Sequence, residues 1–158
     1  MQMPWDWQTA WHDISRLILA YVFALPVGWY RETEAHTVGV RTFPLVAMAA
    51  CGYVLLAAPD YHNTIDAQSR VIQGLVAGMG FIGGGAIIQA RGSIHGTAAA
   101  ASIWNMGVVG AAVAEGRFFV GATLALMNLF ALRVLLPLKL KLDERAAREH
   151  AARTAHAE

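Results

Sequence analysis

A glycine-rich segment between Gly74 and Gly85 is the densest chemical signal in the sequence. Within it, Gly78-Met-Gly80-Phe-Ile-Gly83 has the spacing of a dinucleotide-binding loop, whose glycines let the backbone approach a pyrophosphate. A loop of that kind follows a strand and has an acidic residue about 20 positions later. Here the flanks are apolar and alanines occupy positions 98–101. This context argues against a nucleotide site, and we expect no cofactor.

The same glycines can instead form packing surfaces between helices. Gly74 and Gly78 are four positions apart, and Gly80 and Gly84 repeat that spacing, which lets a neighbouring helix approach bare backbone in a membrane. The alternative is that the three glycines 83–85 weaken the helix and leave a break lining a cavity, as in transporters. Packing is the favoured interpretation. The residues expected to take part in helix packing are Gly74, Gly78, Gly80, Phe81, Gly83, Gly84, Gly85, Gly96 and Trp104.

A polar cluster forms the second candidate site. Arg31-Glu32 is followed closely by Gly39-Val-Arg41-Thr42, at the predicted inner mouth between the first two helices. Arginines there can set the topology and bind anionic headgroups, an interpretation that explains Glu32 less well. The candidate functional motif therefore comprises Arg31, Glu32, Gly39, Arg41, Thr42 and Arg70.

Metal binding and catalysis have little support in the sequence. The six histidines are scattered, without a pair at ligand spacing or a cysteine partner. Asp60 and Asp66 could meet a hydrated Mg²⁺ at the outer surface, but two exposed aspartates are more often only a solvated surface. No serine or cysteine nucleophile has a matching base. We therefore predict no metal site and no enzymatic activity.

Composition places the chain in a membrane. Of its 158 residues, 56% are hydrophobic and 15% charged, whereas soluble domains have about 45–50% apolar and ~25% charged residues. The 12 basic and 11 acidic residues are few and unevenly distributed, which argues against a nucleic-acid binder, whereas the net charge of +1 itself indicates no partner. The single cysteine, Cys51, cannot form an internal disulfide. The lipid bilayer is the predicted environment.

Continuous apolar runs without period-2 alternation predict an all-α, polytopic membrane bundle with five transmembrane helices. Gln73, Asn105 and Asn128 lie within these runs and are candidates for hydrogen bonds between helices. The five predicted spans are Ile14–Tyr30, Phe43–Ala58, Val71–Ala90, Thr97–Ala114 and Phe118–Leu136.

The basic residues predict an orientation with the N-terminus outside and the C-terminus in the cytoplasm. Two arginines, Arg70 and Arg117, fall outside, whereas the positions that fall inside are Arg31, Arg41, Arg91, Lys139, Lys141, Arg145, Arg148 and Arg153. Residues 1–13, with three tryptophans, are predicted to form an interfacial segment, residues 14–137 the five-helix domain, and residues 138–158 a short cytoplasmic tail.

The order of these motifs resembles the MgtC/SapB family of bacterial inner-membrane proteins. The similarity rests on Gly28-x-x-Arg31-Glu32, on Gly39-Val-Arg41-Thr42, on Gly78-Met-Gly-Phe-Ile-Gly-Gly-Gly85, and on Gly96 followed by Trp104. It covers roughly residues 17–130. The family often has an acid, a glutamine, a basic residue and two threonines at five positions where this chain has Tyr30, Gly74, His95, Ala98 and Ala99.

The resemblance implies a five-span inner-membrane protein with a periplasmic N-terminus, linked to growth under magnesium limitation and to virulence. Founding members look like regulators that restrain ATP synthase, although the family was once described as part of magnesium transport. Because only about 20 residues follow Pro137, we expect a short form without the soluble domain of longer members. The favoured function is a non-enzymatic regulator that forms a homo-oligomer or contacts another membrane protein. The alternative is a small transporter for Mg²⁺ or another small solute.

Overall fold

The computed structural model describes residues 7–35, 39–61, 65–90, 93–135 and 138. Helices dominate this part of the chain, and α5 continues into a π-helix at Ala131–Leu135. The five α-helices are α1 (Trp7–Ala35), α2 (Thr42–Tyr61), α3 (Ile65–Gly85), α4 (Thr97–Ala114) and α5 (Phe118–Phe130).

The described chain is helical, as predicted, apart from a short β-hairpin that shortens the predicted third span. The third span was expected to run as helix to Ala90, but α3 ends at Gly85 and β1 follows at Ile88–Ala90. It pairs antiparallel with β2, Ser93–His95, in the register Ile88 with His95. Consecutive glycines lower helix stability, and the β-branched isoleucines beyond them favour extended backbone. The helix therefore stops about one turn earlier than the apolar run.

The N-terminal residues that the structure describes belong to a long first helix. Trp7 and Trp11 lie in its first turns with exposed side chains, so positions 7–13 continue directly into the predicted first span. Residues 1–6 and nearly all of the predicted tail, 139–158, lie outside the described part of the chain.

The core forms around α4, which contacts every other α-helix. Ile103, Met106 and Val109 are fully buried along it and pack against Val27 of α1 and Phe43 of α2. A second cluster, nearer the other end of the bundle, includes the buried thiol Cys51. The short connections between successive helices make neighbours antiparallel, so the start of α2 and the end of α1 meet at one end.

Two helical segments of the described chain are long and apolar enough to cross a membrane. They are Thr97–Ala114 and Phe118–Leu135, each of 18 residues. Thr42–Ala57 is a shorter apolar helix.

Candidate functional site

One group of candidate residues, here called the inner cluster, lies where α1 ends and α2 begins. It comprises Arg31, Glu32, Gly39, Arg41 and Thr42. The backbone N–H of Val40 donates to Glu32 Oε2 at 3.1 Å. A Cβ at Gly39 would lie 2.8 Å from Glu32 N, so only glycine allows this approach. On α1, a Cβ at Gly28 would meet Val40 Cα at 3.1 Å. The Gly28-x-x-x-Glu32 spacing therefore creates one helix face that fits the loop before α2.

The two arginines of the inner cluster lie in different environments. Arg31 is only 6% exposed and its Nε has no hydrogen-bond partner among the described residues. Arg41 is exposed and directly precedes the first residue of α2, Thr42. Arg70, the sixth candidate, lies in the first half of α3, at the opposite end of the α2–α3 pair, and is not part of this cluster.

Some of the predicted packing glycines are in close contact. A Cβ at Gly83 would lie 3.2 Å from the carbonyl oxygen of Ala100, so α3 and α4 approach closely there. Gly96 has a φ of 86°, and a Cβ would come within 3.0 Å of Ala86 C, so this residue joins the hairpin to α4. Gly107 and Gly110, which the motif search does not single out, pack against Met79 and against the backbone at Ala47.

Other predicted packing glycines are open. At Gly74, Gly78, Gly80, Gly84 and Gly85 a Cβ would meet no atom of the described residues within 4 Å. Ala77, Gly80, Phe81 and Gly84 form a continuous exposed strip, here called the open face of α3, and Phe81 is 86% exposed. Trp104 is also exposed, on α4. The sequence alone does not separate these positions from the packed glycines.

A long apolar groove separates α2 from α3. It has a volume of about 940 Å³ and is open along one side. Gly74 and Gly78 form part of the α3 wall, where their missing side chains leave space. The α2 wall runs from Thr42 to Ala57 and includes Ala49 and Tyr53. Thus the two glycine pairs serve different surfaces, the groove and the open face of α3.

Two of the three predicted interhelical amides make hydrogen bonds between α4 and α5. Asn105 Nδ2 donates to the carbonyl oxygen of Leu124 at 3.1 Å. Ser102 Oγ donates to Asn128 Oδ1 at 2.9 Å. Gln73, the third, is exposed on α3. The amides at the interface of the most buried helix therefore join α4 to α5 and stabilise the bundle.

Arg16 is a residue whose role the motifs do not reveal. Its guanidinium donates to the carbonyl oxygen of Ala114, the last residue of α4, and lies against Gly116 in the following turn. An arginine satisfies the free carbonyls that end a helix and favours the negative end of its dipole. A lone charge inside an apolar run is the signal that could have indicated such a partner.

The possible magnesium ligands cannot be placed. The side chains of Asp60 and Asp66 lie outside the described part of the structure. Among the side chains that are described, no group of three or more histidine, cysteine or acidic residues could hold a metal ion.

Comparison with known proteins agrees with the motif order. The sequence pattern of the MgtC family matches residues 17–140. SrpB of Synechococcus elongatus is 33% identical over 127 residues, covering 72% of this chain and 70% of SrpB. MgtC of Brucella abortus is 28% identical over 152 residues, covering 96% of this chain and 63% of MgtC.

YhiD of Escherichia coli K12, whose name proposes magnesium transport, is 28% identical over 127 residues, covering 77% of this chain and 59% of YhiD. The chain therefore spans less than two thirds of the length of YhiD and of MgtC. No solved structure matches the chain. With its family pattern over residues 17–140 and these relatives, the chain belongs to the MgtC family of membrane proteins.

Proposed function

We propose that the protein is a non-enzymatic, multi-pass protein of the bacterial inner membrane that regulates another membrane complex through helix contacts. In this proposal α1 to α5 all cross the bilayer, with the N-terminus outside and the C-terminus inside. Support comes from the short connections, which make neighbouring helices antiparallel, and from the excess of basic residues on the predicted inner side. The inner cluster then lies at the cytoplasmic surface.

The observation that carries this proposal is the open face of α3. Gly80 and Gly84 lie one turn apart on it, and a Cβ at either would contact no other residue in the part of the chain that the structure describes. Glycine in a helix costs about 1 kcal/mol relative to alanine. Within one copy of the chain, these two glycines gain no packing contact for that cost.

Close approach of another membrane helix would compensate for the free-energy cost of having two glycines in α3. In a bilayer, helices associate by van der Waals packing, and small residues let their backbones come close. Phe81 beside the glycines supplies a large apolar side chain that such a helix could cover. A flat strip next to an aromatic residue thus has the shape of a helix-docking surface.

The proposed partner is a helix of another membrane complex, and the family resemblance suggests ATP synthase during adaptation to low magnesium or host stress. Arg41 is exposed at the predicted inner surface and can contact acidic groups of that complex. Glu32 holds the loop before Arg41 in place through its bond to Val40 N.

The experiment is a cross-linking assay in membranes, with a photoreactive residue replacing Phe81. We expect one discrete adduct, lost in the Gly84→Leu variant because a leucine would separate the two helices. Thr123→Leu is the matched control, since Thr123 is exposed on α5 and the added leucine leaves the open face of α3 intact. An adduct with a second copy of the chain would show that this face forms a homo-oligomer, and the proposed docking to another complex would be wrong. An adduct unchanged by Gly84→Leu would contradict docking at this face.

A carrier for Mg²⁺ or another small solute is the second candidate. The groove between α2 and α3, with Arg41 beside its first residue, and the name of YhiD favour it. Magnesium requires oxygen ligands, however, and among the described side chains the groove offers only the hydroxyls of Thr42 and Tyr53. Saturable Mg²⁺ uptake into proteoliposomes, abolished by Glu32→Gln, would establish the carrier. No uptake by folded, inserted protein would support the regulator.

A further inference from the structure

The groove between α2 and α3 has the size and lining of a lipid site. Its volume of about 940 Å³ lies near the upper end of the range of roughly 300–1,000 Å³ found for ligand pockets. Leucine, valine, isoleucine, alanine and glycine form most of its described walls, where hydroxyl groups occur only at Thr42 and Tyr53. Along α2 the lining runs from Thr42 to Ala57, about 22 Å at 1.5 Å per residue. One leaflet of a bilayer is about 15 Å deep, so an acyl chain fits lengthwise.

An exposed arginine lies at each end of this groove. Arg41 directly precedes Thr42, the first lining residue on α2, and Arg70 directly precedes Val71, the first on α3. The two ends differ electrostatically, because Arg41 lies at the start of α2, where the helix dipole adds positive charge, whereas Arg70 lies within α3. The end at Arg41 is therefore the better site for an anion.

At the start of α2 an anion must bind to side chains, because the first backbone N–H groups are already hydrogen-bonded. The N–H groups of Thr42 and Phe43 both donate to the carbonyl oxygen of Gly39, at 3.1 and 3.2 Å. An anionic group at this end would therefore bind to the Arg41 guanidinium and the Thr42 hydroxyl. A guanidinium can bind two oxygens of one phosphate at once.

We propose that the groove binds one anionic phospholipid, with its phosphate at Arg41 and an acyl chain along α2 between Ala49 and the glycines Gly74 and Gly78. We favour an anionic lipid as the occupant because its phosphate complements the positive charge of Arg41. An apolar helix of a partner could cover the groove walls but would leave Arg41 without an anion. The proposal requires only that the protein lies in a membrane, and it does not depend on docking at the open face of α3. Where the lipid is bound, its phosphate takes the Arg41 guanidinium in place of an acidic group of a partner.

The headgroup contact is tested with purified protein in non-ionic detergent, by native mass spectrometry after adding phosphatidylglycerol or phosphatidylcholine. We expect one phosphatidylglycerol to be retained per chain in preference to phosphatidylcholine. Arg41→Gln should weaken this retention about fivefold, the factor expected for one basic side chain near an anionic membrane surface. Arg133→Gln removes the same charge from an exposed position in the π-helix and should leave retention unchanged.

The acyl-chain contact is tested by filling the groove. Ala49→Phe should reduce phosphatidylglycerol retention at least fivefold, whereas Ala101→Phe, at an exposed alanine of α4 outside the lining, should not. Thermal melting of each variant separates loss of the site from loss of the fold. Gly84→Leu should retain the lipid, which keeps this test distinct from the docking assay.

Three results would overturn the proposal. The first is equal retention of the two lipids. The second is a loss of phosphatidylglycerol caused by Arg70→Gln and not by Arg41→Gln. The third is an Ala49→Phe variant that dissociates an oligomer but keeps its lipid, because the groove would then hold a second copy of the chain.

Discussion

The glycines of α4 and those of α3 have opposite surroundings. A Cβ at Gly110 would come within 3.0 Å of Ala50 Cβ and even closer to the backbone of Ala47, and one at Gly107 would meet the Met79 side chain. At Gly80 and Gly84 of α3 a Cβ would meet nothing within 4 Å among residues 7–35, 39–61, 65–90 and 93–135. The α4 glycines therefore let helices of one copy pack, and the α3 glycines leave backbone available to something outside it.

The difference follows from where each helix sits. α4 contacts all four other α-helices and most of its residues are buried, so the small residues on its buried faces allow close contacts. α3 lies at the edge: among its described residues Met79 and Gly83 are buried, and Val71 and Leu75 are partly buried against the core. The same residue type thus serves the fold in one helix and an interaction surface in the other.

The largest expected effect is that of Gly110→Ala. The new methyl group would collide with α2 backbone, which cannot move without separating the helices, and should destabilise the protein by about 3 kcal/mol. Thermal unfolding of detergent-purified protein, followed by loss of the monodisperse peak, measures it. An unchanged melting temperature would show that the α2–α4 contact is looser than described.

Gly39→Ala should have the next largest effect, about 2 kcal/mol, because its methyl group would press on the backbone of Glu32. It extends the comparison to a packed glycine outside α4. The same unfolding assay applies, with Glu32→Ala beside it to report loss of the bond from Val40 N alone. If Gly39→Ala destabilised the protein no more than Glu32→Ala does, the close approach of Gly39 to Glu32 would contribute nothing to stability beyond that hydrogen bond.

Gly80→Ala should change stability in the opposite direction. In an open helix position alanine is favoured over glycine by about 1 kcal/mol, so the purified monomer should melt at a higher temperature. The same variant should weaken the cross-link formed at position 81 if a partner packs on this face. A lower melting temperature for the monomer would show that Gly80 is packed and would remove the contrast between the two helices.

The smallest effect is expected from the amides. Asn105→Ala removes the bond to Leu124 and should cost about 0.6 kcal/mol, the average for hydrogen bonds between membrane helices. Gln73→Ala, at an exposed position of α3, should lie within about 0.5 kcal/mol of the unmodified protein. Unfolding in mixed micelles compares the two, and equal losses would show that the Asn105 bond does not favour the folded bundle.

Much of the helical framework is predictable from the sequence. The fourth apolar run, Thr97–Ala114, coincides with α4 because turn-forming Gly96 and the Glu115-Gly116 pair bound it. Asn105 and Asn128 were expected to bond between helices, since an amide in an apolar run has few other partners, and both do. These features depend on local sequence and burial, which periodicity and hydropathy report.

The surroundings of individual glycines are not predictable in this way. Gly83 is packed and Gly84 is open, although they are adjacent in one motif. Their difference depends on the direction in which α4 crosses α3, which is a property of the whole bundle. The contact from Arg16 to Ala114 is similar, since it joins positions 98 residues apart. The hairpin that begins at Ile88 was not predicted, because its residues continue an apolar run.

Burial of Cys51 has a practical consequence for mapping the topology. The thiol is the only one in the chain and its residue is 0% exposed, so water-soluble maleimides should not label the unmodified protein while it is folded. Any cysteine introduced at a loop position would then be the single reactive group. Its labelling from one side of sealed vesicles would report which compartment that loop faces, without prior removal of the native residue.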